Sequence, residues 1–323
     1  MEQIGFSRLN FVIMVTYLVA LIYIGLRLSG KQRTTEDFFL GGRRMPWLAV
    51  GISMFASLTS AASFLGLPGI AYRENISMIV VGLVSPVVVP LLILVFYPFY
   101  RQLRVTTAYE YVDQRYGRSA RLCVAGLFCL ARLGWLGVVI YSPALALSVM
   151  TGIGLYPAIL LMGAIATAYA TMGGLSAVIW TDVLQFSLLA GGAIWVAIAL
   201  TEGVPGGWLQ IMAVAGQTNH LNVWQWRLDF FEMTALGAAL SYFFQLMQDY
   251  GTDQVSVQRL LSIPDSRGTA KAAILNSLID LLLLSLLLFV GLGLFAYFQA
   301  FPDRLATGVT GDRILAYYII HAL

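Results

Sequence analysis

Residues 55–66 read FASLTSAASFLG and lie inside an apolar run long enough to cross a bilayer. The hydroxyls of Ser53, Ser57, Thr59, Ser60 and Ser63 crowd this stretch, where a span facing only lipid would use Leu, Ile and Val. A helix rich in small polar residues and flanked by Pro46 and Pro68 can unwind locally and present free carbonyls. Such backbone is tolerated at membrane depth only where protein or a water-filled cavity satisfies it. The competing reading is packing, because Ser and Thr also join transmembrane helices or bond back to the carbonyl one turn earlier.

The other polar groups inside apolar runs are Arg132, Asp182, the stretch QLMQDYGTDQ (245–254) and Asp280. Ionisable groups at that depth are costly and are functional candidates by default. Each also has a structural reading: an ion pair for Arg132, helix packing for Asp182, and pairing for Asp280. Asp249 and Asp253 read equally well as solvated at a cytoplasmic helix end. Cys123 and Cys129 are six apart on one helix, do not share a face, and read as small packing residues. His220 and His321 are far apart with no ligand spacing. The sequence shows no nucleophile–base pair or metal cluster, so it does not read as an enzyme and calls for no cofactor.

The elements that position these groups are membrane helices. The 323-residue chain is 59% hydrophobic and 11% charged, with a mean hydropathy of +0.81, whereas soluble domains carry roughly 25% charged residues. A net charge of +3 is too small to suggest a nucleic-acid partner. Apolar runs near 9–29, 47–72, 76–100, 121–149, 155–172, 176–201, 233–257 and 270–300 predict about eight transmembrane helices. The first run is long, lacks a basic leader and is followed by a second span, unlike a cleaved signal peptide. With the N-terminus outside, the cytoplasmic loops hold Arg27, Lys31, Arg33, Arg43, Arg44, Arg101, Arg104, Arg115, Arg118, Arg121, Arg259, Arg267 and Lys271. The outer face then has only Arg8, Arg73, Arg227, Arg304 and Arg313, the bias of a multi-pass plasma (inner) membrane protein. Trp208, Trp224 and Trp226 in the long outer segment suit interface anchoring.

Two runs are interrupted by polar residues, the second at the hydroxyl cluster and the seventh at DYGTDQ (249–254). Paired interruptions in two halves of a chain point to an inverted-repeat transporter with its site at the midplane. The halves show no direct sequence identity. The stretches DFFLGGRRMPWLAVGISMFASLTSAASFLGLPG (37–69), TTAYEYVDQRYGRSARL (106–122), YSPALAL (141–147), GGLSAVIWTDVLQ (173–185) and TDQVSVQR (252–259) carry a stronger signal. In order and spacing the chain resembles the sodium:solute symporters over its whole length, nearest the sialic-acid, iodide, monocarboxylate and multivitamin branches.

The resemblance implies an all-α integral membrane protein with the LeuT-type inverted repeat. Its parts would be a leading helix (1–30), a complete first five-helix repeat (46–202), an extracellular loop (203–232), the first two helices of the second repeat (233–300), and an extracellular segment (301–323) before a further helix. It also implies a sodium site at the carbonyls of Ala56 and Thr59, completed by hydroxyls of the eighth core helix, with Asp182 at a second sodium site. Ser57, Ser60 and Ser63 would face the substrate cavity, joined by Arg132, Trp135 and Gln248. Trp135 stands where the sialic-acid branch has an arginine, which argues against sialic acid, while Arg132 one turn earlier can meet another anion. The Glu and Lys that bind sugar hydroxyls in galactose transporters have no counterpart in 76–90, which weakens a hexose reading. The implied function is sodium-coupled import of a small solute, an organic anion among the candidates, by alternating access. Sodium is then the coupling ion, and the partners are sodium, the solute and the lipid bilayer. The alternatives are a symporter-like membrane sensor or a non-transporting truncated fragment, since DRILAYYIIHAL (312–323) ends the chain in the outer loop before the eighth core helix.

Overall fold

The computed structural model describes residues 8–30, 32–103, 105, 107–224, 226–227, 229, 234–306, 308–309, 311 and 313–323. Lys31 and Arg104, counted among the loop cations, lie outside the described residues, as does position 233, the first of the seventh run. The described residues contain helices and connections without a strand. In order they are α1 (Arg8–Ser29), α2 (Thr35–Leu40), α3 (Trp47–Leu58), α4 (Ala61–Arg73) and α5 (Ile79–Leu91). A π-helical turn, Leu92–Phe96, leads into α6 (Tyr97–Leu103), followed by α7 (Ala108–Tyr116), α8 (Arg118–Thr151), α9 (Leu155–Gly203) and α10 (Gly207–Gln217). The chain closes with α11 (Ala235–Gly251), α12 (Gln254–Leu261), α13 (Ser266–Ala300) and α14 (Arg313–His321).

Among the described residues, five helices are long and apolar enough to cross a membrane, or six if the bent pair α3–α4 forms one span. The 49-residue α9 is too long for one crossing of a hydrocarbon core of about 30 Å. It turns at Gly174 (φ 55, ψ −155), a left-handed conformation glycine adopts without steric cost, and so supplies two passes. The 17-residue α11 continues into α12 across a break at Thr252–Asp253.

The helix that organises the rest is α13, packed along α3, α4 and α5. A Cβ on Gly51 of α3 would come within 2.8 Å of the Ala272 carbonyl, and one on Gly291 within 2.5 Å of the Pro68 carbonyl. In lipid, helices associate through close van der Waals packing rather than a hydrophobic drive. These glycines let backbones touch. The contacts also set a register: α13 rises beside α3 and then α4, so the break between those two helices lies at the depth of Asp280.

Three expectations change. Cys123 and Cys129 are exposed on α8 rather than packed. That helix rests on α7 and α9 while Leu122, Leu127, Leu130 and Leu133 stay open. Arg259, counted as a loop cation, is buried, and so is Asp253, for which the sequence leaves a solvated helix end as one of two open readings. Helix α12 folds back under α3 and α11 and carries both residues inward.

Candidate functional site

Helix α3 stops at Leu58; Thr59 (φ −95, ψ 131) and Ser60 (φ −116, ψ 165) are extended, and α4 leaves at 64°. Terminating a helix strips the last carbonyls of their amide partners. The amide of Thr59 still donates to Phe55 O (3.1 Å), but the carbonyl of Ala56 faces a residue that has left the helix. The amide of Ser63 donates to Ser60 Oγ (3.4 Å), the N-cap of α4. Ser60 and Ser63 bring their hydroxyl oxygens to 3.4 Å from one another, whereas Ser57 donates to Met54 O (2.9 Å) in its own helix. Ala56, Ser57, Thr59, Ser60 and Ser63 therefore surround one break, all half-buried.

One turn towards the N-terminus of α3, Ser53 belongs to a buried triad. Its hydroxyl donates to Asp182 Oδ2 of α9 (2.5 Å) and accepts from Arg259 Nε of α12 (2.8 Å). Arg259 Nη2 closes the ring on the same carboxylate oxygen at 3.0 Å, and its Nη1 donates to Val255 O (3.1 Å). The guanidinium and the carboxylate are both nearly shut off from solvent. A buried pair of this kind holds only when each lone pair and proton finds a partner, and here Ser53 is that third partner. Sequence reasoning named Asp182 but missed Arg259 and passed over Ser53. The signal was present: TDQVSVQR carries the one arginine of the seventh-run motif.

The second interruption has its own pair. Asp253 caps α12 by accepting from the amide of Val255 (2.8 Å), and its other oxygen takes a hydrogen bond from Arg132 Nη2 of α8. The Arg132 guanidinium also lies over the Phe128 ring at 5.2 Å. Arg132 is thus engaged by an acid rather than standing free for a solute. Trp135, one turn on, is half exposed on the open side of α8. Gln248 has an exposed side chain, while its carbonyl accepts the amides of Thr252 (3.0 Å) and Asp253 (2.9 Å) and so shapes the break. The candidates fall apart into the α3–α4 break with the Asp182 triad beneath it, the α11–α12 break with Arg132 and Gln248, and Trp135 on the open side of α8.

The profile of the sodium:solute symporter family matches residues 38–323. The sodium/sialic acid symporter SiaT of Proteus mirabilis (strain HI4320) is 30% identical over 99% of this chain and 65% of its own length. The human sodium/iodide cotransporter is 33% identical over 86% of this chain and 43% of its own, and human sodium-coupled monocarboxylate transporter 1 is 33% identical over 97% and 52%. The chain thus spans less than two thirds of these relatives. A solved structure of a Na+-coupled sialic acid symporter, substrate-bound and outward-open, superposes with a TM-score of 0.92 at 30% identity, covering 99% of this chain and 67% of that one. With both interrupted spans inside the matched region, this chain is a membrane protein of LeuT-like, all-helical fold and belongs to the sodium:solute symporter family.

Proposed function

We propose that this protein is a sodium-coupled symporter that imports a small solute by alternating access, with the plasma membrane as its site and the N-terminus outside. The observation that carries the reading is the break at Leu58–Ser60, where the helix ends inside an apolar span among hydroxyl side chains. Neutral oxygens suit a hard monovalent ion that must bind and also leave. Sodium is assigned to the carbonyls of Ala56 and Thr59. Ser60 and Ser63, already within reach of one another, turn their hydroxyls to the solute, and Ser57 joins them by releasing Met54 O. Asp182 takes part in coupling through Arg259, a resident cation that an entering sodium ion must displace. On the other side, Arg132 exchanges Asp253 for an anionic group of the solute, beside Trp135 and Gln248. The relatives are named for sialic acid, iodide and monocarboxylates, all anions at neutral pH. Transport by a helix bundle needs no covalent step, and none is assigned.

The test is uptake of radiolabelled sialic acid, iodide and lactate into cells expressing the complete open reading frame, with sodium or choline outside. Accumulation of at least one anion that requires sodium is expected, lost in Ser60→Ala/Ser63→Ala. A folded, surface-expressed protein that moves none of them in sodium would overturn the reading.

A further inference from the structure

Asp280 sits on α13, within a span, at the depth of the α3–α4 break. No Arg or Lys among the described residues pairs with it, in contrast to Asp182 and Asp253. The group that approaches it is the Ser85 hydroxyl of α5, which is buried and makes no hydrogen bond of ordinary geometry. The helices meet closely here, because Leu281 and Leu284 of α13 fill the space beside Gly82, one turn before Ser85. Asn276 and Ser277 lie one turn below Asp280 on the same side of α13. Both are buried; the hydroxyl of Ser277 finds no partner, and Asn276 meets the Tyr250 hydroxyl of α11 without a bond of ordinary geometry.

Buried polar atoms are almost always hydrogen-bonded, so two orphaned hydroxyls and a poorly satisfied amide beside a lone carboxylate call for an explanation. A structural acid would have a basic partner. A packing hydroxyl would bond back to its own helix, as Ser285 does one turn further on. What these four side chains share is oxygen: one carboxylate, two hydroxyls and an amide carbonyl. Hard cations prefer such a set, and soft metals do not. A single negative charge balances a single positive one in low dielectric. We propose that Asp280, Ser85, Ser277 and Asn276 form a site for a monovalent inorganic cation between α5 and α13, separate from the carbonyls of Ala56 and Thr59.

The probe is sodium-22, bound at equilibrium to the detergent-purified protein and counted per chain. Asp280→Asn should bind one sodium ion fewer than the wild type, with the affinity of any remaining sodium unchanged. Ser85→Ala, which keeps the charge, should keep the count and raise the Kd of one site roughly tenfold. Equal counts and equal affinities in wild type and both variants would overturn the site and make Asp280 a protonated or packing group. Binding is read without transport, so the two readings separate. Sodium-driven uptake with an unchanged count sinks this site alone, and a lost count without uptake sinks the symport reading alone.

Discussion

Replacing Asp182 with Asn leaves the shape of the triad and removes its charge. Arg259 then remains inside the bundle, buried and without a counter-ion. At the observed 3.0 Å, an effective dielectric of about 20 gives roughly 5–6 kcal/mol of attraction between the two charges. Desolvation offsets much of that in the intact pair, so the pair itself contributes little net stability. The loss of one partner is a different matter and costs about 3–5 kcal/mol, because the other charge is stranded. Ser53 softens the loss slightly, since its hydroxyl still accepts from Arg259 Nε. The assay is equilibrium unfolding in mixed micelles of the wild type, Asp182→Asn, Arg259→Met and the double variant. Each single variant should lose about 3–5 kcal/mol. The double variant should recover at least half of the summed loss, because no charge is left unpaired. Additive losses in the double variant would mean that the two residues do not depend on one another, and the triad would cease to explain the burial of Arg259.

Gly51→Ala drives a Cβ to within 2.8 Å of the Ala272 carbonyl, where backbone cannot yield; overpacking of about 1–3 kcal/mol is expected in the same unfolding assay. Asp253→Asn keeps an oxygen for the α12 cap and gives up only the pair with the partly exposed Arg132, so it should cost under about 1 kcal/mol. Asp253→Ala loses the cap as well and should cost about 1 kcal/mol more in that assay. In the connection before α3, the hydroxyl of Thr34 and the amides of Arg33 and Thr34 hold the Asp37 carboxyl below the usual carboxylate range. A depressed folded value means that its stabilisation is full above the ordinary carboxylate pKa and fades as pH falls through the lower one. Proteolysis within 30–46 should therefore accelerate on going from about pH 5 to 3, and Thr34→Ala should flatten that dependence.

The α3–α4 break was legible because its cause is local: hydroxyls packed into an apolar run, with prolines on either side. The turn at Gly174 was legible for the same reason, falling within the short connection between two apolar runs. Partners were not legible. Arg132 and Asp253 stand 121 positions apart, and Ser53 and Arg259 are separated by 206, so no window on the sequence joins them. Charge counting makes Arg259 a loop cation because it assigns residues by position along the chain. The short helix α12 doubles back after the second break and carries that arginine inside. The cysteines of α8 were misread in the opposite direction, since small size suggested a packed interface on a helix whose surface is mostly open.

The glycine contacts along α13 have a mechanical consequence. One continuous rod lies against both arms of the bent α3–α4 span, so the elbow cannot swing like a free door. Any change in its angle must slide one arm lengthwise over α13. Gly51 and Gly291 make that track smooth, because backbone meets backbone there and no side-chain ridge has to be climbed. Small sliding of packed helices is one of the recognised routes of conformational change. A bulkier residue at either glycine would work as a brake on that sliding even where the folded state survives.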